Sequence, residues 1–188
     1  MICYLLRHGK DDETVRGGWS DHPLTEEGLR QAETLAFADW TVSHIYSSDL
    51  QRAIQTAKII AQKAGLSVTE LSRFREVNNG DLAGMKNTIA LERYPGLFWN
   101  QLDWEQSYPD GESPKAFYER ICTAWEAFSQ EIVAKNENVM LVTHGGVIQV
   151  ILSLVEGRTY SNKEKQRNIP HASVIALSYE NGAWKESM

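Results

Sequence analysis

Several things are scarce in this chain. There are two cysteines, Cys3 and Cys122, in 188 residues. Both lie in apolar surroundings, one on an expected strand and one on an expected helix. They form no disulfide framework and read as buried free thiols of a reducing cytoplasm. No apolar run reaches the roughly 18 residues a membrane helix needs, so no span is expected. A functional-looking motif already stands at Arg7, which leaves no room for a signal peptide before it. Basic blocks are absent, the net charge is -6 and the pI about 5.4, which argues against a general nucleic-acid surface. Any anion pocket must therefore be a local gathering of arginine and histidine in an acidic protein. Repeats, low-complexity segments and linkers are absent too. The length fits one domain over residues 1–188 with a small insertion.

What is present is a pair of short apolar runs that end alike. Ile2-Cys3-Tyr4-Leu5-Leu6 stops at Arg7-His8-Gly9, and Asn138-Val139-Met140-Leu141-Val142-Thr143 stops at His144-Gly145-Gly146. Such runs read as buried strands. In open α/β sheets ligands sit beyond the carboxyl ends of the strands, so the two His-Gly ends are expected to face each other across one anionic pocket. Gly9 lets the backbone turn close to its neighbours.

The segments between alternate in kind. Residues 9–24 form a charged, glycine-containing loop. Thr25 caps a helix with Glu26 and Glu27 in its first turn, Leu24 and Leu29 as a staple, and Leu29, Ala32 and Ala36 buried, running to about Phe37. His44 to Tyr46 is a short strand. Ser48 and Gln51 have capping-box spacing for a second helix. Its buried stripe is Leu50, Ala53, Ile54, Ala57, Ala61 and Ala64, and Arg52 and Thr56 lie one turn apart off that stripe. Gly65 ends it. Ser67 to Phe74 alternates as a strand. Residues 75–110 are irregular, with a short helix over 87–94 that stops at Pro95. About 85–110 reads as a small inserted cap whose aromatics, Trp99, Trp104 and Tyr108, pack locally. Ser113 and Pro114 open a long helix with the stripe Phe117, Ile121, Ala124, Phe128 and Ile132. A buried helix over 147–155 and a last strand over 172–179 follow. The expected fold is a three-layer α/β/α sandwich with a mostly parallel sheet.

The chemistry of these residue types is specific. A phosphomonoester needs a nucleophile, cations for its oxygens, and a proton for the leaving alkoxide. A neutral His8 can attack phosphorus. Arg7 and Arg52 offer planar donor forks. His144, beside a helix N-terminus, adds donors where charge develops, with the Gly145 amide in reach. For the acid, residue type alone leaves Glu76, Glu112, Asp81 and Asp12.

Taken together and in order, Arg7-His8-Gly9, Pro23-Leu24-Thr25-Glu26-Glu27-Gly28, Ser47-Ser48-Asp49-Leu50-Gln51-Arg52-Ala53 with Thr56-Ala57, Glu76 before Gly80 and Gly84, Gly111-Glu112-Ser113, and Thr143-His144-Gly145-Gly146 resemble the histidine phosphatase superfamily, the phosphoglycerate mutase-like family. The motifs run from residue 1 to about 155. The resemblance implies His8 as nucleophile, Arg7, Arg52 and His144 as phosphate ligands and catalytic donors, and Glu76 as general acid and base. It implies phosphate hydrolysis without metal or other cofactor, on a small-molecule phosphomonoester, with no nucleic-acid or membrane partner. The stretch from His8 to Asp21 is shorter than the family's. Thr14 stands near the family's asparagine and Arg16 near its arginine, so both are candidate phosphate ligands. Lys10 replaces the usual acidic or amide residue.

His22 and His44 show no metal-ligand spacing with His171, and His171 is a candidate pocket lining. Two other readings compete with a phosphatase: a mutase of the same fold, and a phosphate- or phosphoprotein-binding domain without activity. The shortness of the insert favours hydrolysis over the first, and the full set of Arg7, His8, Arg52 and His144 disfavours the second. The acidic, aromatic rim is expected to disfavour bisphosphates.

Overall fold

Apolar residues at alternate positions divide each central strand between two cores, and that division sets the architecture. The computed structural model describes residues 1–36, 38, 40–164 and 167–187. Strand β1 (Ile2–Arg7) turns Cys3 and Leu5 to one face and Leu6 to the other, and β4 (Val139–Thr143) turns Val139 and Leu141 one way and Met140 and Val142 the other. On the first face lie α4 (Pro114–Lys135) and α5 (Gly145–Val155). On the second lie α1 (Glu26–Ala36) and α2 (Gln51–Ala64). Two covered faces explain why both strands are unbroken apolar runs. The result is the three-layer α/β sandwich read from the sequence.

The sheet has six strands in the order β3-β2-β4-β1-β5-β6, with β2 at His44–Ser47, β3 at Val68–Glu70, β5 at Val174–Glu180 and β6 at Ala183–Glu186. The pairs β3–β2, β2–β4 and β4–β1 are parallel, and β5 and β6 add antiparallel pairs at the far edge. Arg7 pairs with Thr143, and Ser47 with Val142. Three neighbouring strands thus end at one level, and the residues just beyond them are His8, Ser48 and His144. The core of α4 follows the expected stripe, with Phe117, Ile121, Phe128 and Ile132 fully buried, each contributing about 1.5–3 kcal/mol by burial. Ser113 caps it, its Oγ accepting the Ala116 N–H at 3.1 Å.

Other local expectations are corrected. Thr25 does cap α1, accepting from the Gly28 N–H at 3.1 Å, but Leu29 is exposed, and Gly28, Ala32 and Ala36 form the buried face. The expected end at Phe37 lies outside the described residues. The Ser48–Gln51 capping box does not form: α2 starts at Gln51 after Leu50, and its first N–H is accepted by Asp21 Oδ1 at 2.8 Å. Along α2, Ala64 is exposed and Ile60 joins the buried stripe. The strand expected over 67–74 is three residues long, and its remainder is a 3-10 turn over Ser72–Phe74 that drives Phe74 into the core. The β6 strand was missed, although Asn181 and Gly182 (φ 52° and 82°) carry the Asn-Gly signature of a two-residue hairpin. Helix α3 (Asn87–Arg93) falls where expected. The segment around it has its own small core of Leu82, Leu102 and Tyr108, and Trp99 stacks on Tyr108 as local packing requires.

Candidate functional site

Beyond the ends of β1 and β4, the sequence places two histidines side by side. The ring centroids of His8 and His144 are 5.0 Å apart, and His171 lies 5.5 Å from His8 on another side. The backbone of His8 is fixed by its N–H on the Thr143 carbonyl at 3.0 Å. Gly9 then passes so close to α1 that a Cβ on it would sit 2.5 Å from the Gly28 carbonyl oxygen, so both positions require glycine. The Gly9 N–H is held by Thr56 Oγ1 at 3.1 Å.

The protonation of His8 follows from its partners. Its Nδ1 lies 2.7 Å from the Gly9 carbonyl oxygen, which can only accept, so Nδ1 carries the proton. Nε2 keeps its lone pair and receives the Nε–H of Arg52 at 3.3 Å. Burial first, and the Arg52 charge second, hold the imidazole well below its ordinary pKa. His144, fully buried, is held low for the same reasons in the same order. Its Nε2 meets Ser48 Oγ at 2.9 Å, and this contact replaces the capping role read for Ser48.

Arginines surround the pair. Arg52 is 2% exposed, and its terminal nitrogens donate to the carbonyls of Ser20 and Gly18 at 2.6 and 2.7 Å. Its Nε edge is left for His8. Arg7 donates to the Ile169 carbonyl at 2.6 Å and to His171 Nε2 at 2.8 Å. Arg7 Nε and His144 Nδ1 are buried with no hydrogen-bond partner. An unpaired buried polar group costs about 1–3 kcal/mol; Arg7 lines the cavity over these residues, where an oxyanion would remove that cost, whereas the fully buried His144 is not among the cavity-lining residues.

Glu76 is held on a loop that many residues fasten. Its Oε2 accepts the Gly146 N–H at 2.9 Å and its Oε1 the Val77 N–H at 3.1 Å. Its carbonyl accepts from Trp19 Nε1 at 2.7 Å and from Arg120 at 3.1 Å. Arg75 before it makes a bidentate pair with Asp49, at 2.7 and 2.6 Å. Of the rivals for its place, Glu112 and Asp81 lie outside the cavity lining and Asp12 is part of it. Glu112 is spent on Arg120 at 2.6 and 3.0 Å and on the Asn78 N–H at 2.8 Å. Asp81 is exposed and accepts from the Tyr94 hydroxyl. Asp12 sits at the mouth, bonded to Thr14.

A cavity of about 330 Å³ opens over this group, lined among others by Arg7, His8, Asp11, Arg16, Arg52, Glu76 and His171. Arg16 reaches it and packs its guanidinium 4.6 Å above the Phe98 ring. Thr14 does not line it; its hydroxyl donates to Asp12 at 2.7 Å and the residue is exposed. Gly145 backs onto the Arg7 side chain. Asp11 was missed: its Oδ2 is 3.4 Å from Arg52 Nε and its Oδ1 3.5 Å from His171 Nε2. All three acids of Lys10-Asp11-Asp12-Glu13 line the cavity, and nothing in their spacing marks Asp11 as the one that meets Arg52 and His171.

His8, Asp11 and His171 bring one ligand atom each within 4.8 Å of one another, a set that could hold a metal ion. Arg52 lies 3.3 Å from His8 Nε2 and Arg7 2.8 Å from His171 Nε2, and the positive charge these guanidiniums bring beside the same atoms suits an anion better than a cation. The two thiols take no part: burial pushes Cys3 and Cys122 up, away from the reactive thiolate. Among the described residues no helix is long and apolar enough to cross a membrane.

Comparison with known proteins gives a family match and a shared fold. A model of the histidine phosphatase superfamily (branch 1) matches residues 3–187. A probable phosphoglycerate mutase GpmB of Yersinia pestis is 31% identical over 198 aligned positions, covering 100% of this chain and 89% of the relative. Among solved structures, a mycobacterial glucosyl-3-phosphoglycerate phosphatase superposes with a TM-score of 0.80 at 27% identity, covering 99% of this chain and 96% of its own. YhfR of Bacillus stearothermophilus shares the fold, with a TM-score of 0.86 at 24% identity over 99% of this chain and 95% of its own.

Proposed function

The chain belongs to the histidine phosphatase superfamily, and from that premise we propose that it hydrolyses small phosphomonoesters through a phosphohistidine on His8. The observation that carries the reading is the state of His8: neutral, its proton fixed on the Gly9 carbonyl, its Nε2 lone pair beside Arg52. In the first step Nε2 bonds to phosphorus and the ester P–O bond breaks, with Arg7, Arg52 and His144 compensating the phosphoryl oxygens. Glu76 gives its proton to the departing alkoxide. In the second step Glu76 takes a proton from water, the oxygen bonds to phosphorus, and the N–P bond breaks to free His8. The reaction runs on side chains alone, and the arginines supply the positive charge.

Residues 85–110 act as a cap over the pocket in this reading, and Arg16, lying beside it, reaches the substrate. The free thiols fit a reducing, cytoplasmic setting. The cavity wall carries Arg7, Arg16 and Arg52 together with Asp11, Asp12, Glu13 and Glu76, three guanidiniums to four carboxyl groups, so it offers no net positive charge to a second phosphate. A monophosphate is the favoured substrate class. A mutase reading is kept because of the likeness to a probable phosphoglycerate mutase. The same residues would serve it, with the phosphoryl group returned to substrate instead of water.

Release of inorganic phosphate from p-nitrophenyl phosphate and a panel of monophosphates and sugar bisphosphates, without added metal, tests the proposal. Turnover lost in His8→Ala, with monophosphates preferred, is expected. Equal turnover in His8→Ala would overturn the nucleophile, and preference for a bisphosphate would overturn the substrate class. Conversion between phosphate isomers without release of phosphate would favour the mutase.

A further inference from the structure

We propose that Asp11 is a resident anion of the pocket that sets how weakly phosphate is held there. The inference rests on the phosphate-pocket reading above. Arg52 gives one N–H of each terminal nitrogen to the carbonyls of Ser20 and Gly18, and its Nε edge is the one that meets His8. Two groups share that edge: His8 Nε2 at 3.3 Å and Asp11 Oδ2 at 3.4 Å. The carboxylate therefore stands where an oxygen of a phosphoryl group on His8 would seek the same donor. A carboxylate oxygen of Asp11 is within 4.8 Å of a ring nitrogen of His8.

Burial raises the Asp11 carboxyl, but the contact with His171 and the Arg52 charge outweigh it and hold the group at about 2, so it is a standing anion. Its Oδ1 lies 3.5 Å from His171 Nε2, and Arg7 donates to that nitrogen at 2.8 Å. The backbone of Asp11 cannot retreat easily. It is bridged to Leu24, the Lys10 N–H is on Gln31 Oε1 at 2.9 Å, and the Gly9 N–H is on Thr56. An incoming phosphate dianion must then share Arg52 with a fixed like charge in a poorly hydrated site, where repulsion is strong. The consequence is a weak grip on the product, inorganic phosphate, and faster clearance of the pocket between turnovers.

The test is titration calorimetry with inorganic phosphate at one pH and ionic strength, on native protein, Asp11→Asn, Asp11→Ala and Asp11→Glu. Asp11→Asn and Asp11→Ala should bind phosphate at least tenfold tighter, with a matching rise in product inhibition, and Asp11→Glu should restore weak binding. A damaged fold would weaken binding, so a gain cannot come from damage. Native protein that binds phosphate while both neutral variants bind it equally or less would overturn the inference and leave the phosphatase reading intact. No phosphate binding by native protein or any variant would overturn that reading, and the inference with it.

Discussion

His8 is held ready because two neighbours divide its ring between them. The Gly9 carbonyl fixes the proton on Nδ1, and Arg52 approaches Nε2, so in the proposed reaction Nε2 is defined as the attacking atom before substrate arrives. Glu76 is fastened as firmly, by two backbone N–H groups, beside the cavity rather than on the surface. Its expected role yields a sharp prediction. Glu76→Gln should lower kcat by about 10² to 10⁴ while leaving phosphate binding near native. The deficit should be larger on an alkyl phosphate, whose leaving oxygen needs the proton, than on p-nitrophenyl phosphate, whose leaving group departs unaided. Steady-state kinetics on both esters decides it, and equal deficits would point away from general acid catalysis.

At the scale of elements, the site is a meeting of strand ends with the N-terminus of α5. Gly146, in the first turn of that helix, leaves no room beside Glu76: a Cβ there would lie 2.4 Å from Glu76 Oε1. Gly146→Ala should therefore displace the Glu76 carboxylate and cost activity comparable to Glu76→Gln, with little change in Tm. Native activity in a folded Gly146→Ala protein would contradict the placement of Glu76. The strand ends were legible in the sequence because their apolar runs stop abruptly at Arg7-His8 and His144. Helix α4 was legible because its stripe and Ser113 cap agree. What stayed illegible depended on distant partners. Ser48 has the spacing of a cap, but β4 brings His144 to its hydroxyl. Asp49 carries no signal alone, yet its pairing with Arg75 sets the Glu76 loop. Asp11 is one of three consecutive acids at 11–13 that all line the cavity, and its contacts with Arg52 and His171, residues distant in the sequence, set it apart. Thr14, placed by likeness to a longer loop, falls outside the cavity because the shorter loop turns its hydroxyl onto Asp12.

For the whole molecule, the two buried imidazoles link function to stability. His8 and His144 both have folded pKa values held below the ordinary 6.5 by burial and by Arg52. The unfolded chain therefore binds more protons than the folded one once pH falls below about 6.5. Stability should be level above that pH and fall below it, by about 1.4 kcal/mol per pH unit for each histidine that must stay neutral. Urea unfolding between pH 8 and pH 5 measures this slope. His8→Gln should remove one histidine's share of it, and an unchanged slope would mean His8 is not held neutral. The same burial that keeps the nucleophile unprotonated thus makes the protein less stable in acid.

The central claim is a covalent phosphoryl group on His8, and rapid-quench trapping tests it most directly. Native protein mixed with p-nitrophenyl phosphate, quenched under alkaline conditions and digested, should yield a phosphorylated peptide containing His8. That label should be labile to acid and absent from His8→Ala. A label on His144 or on any other residue, or turnover that persists in His8→Ala, would contradict the account.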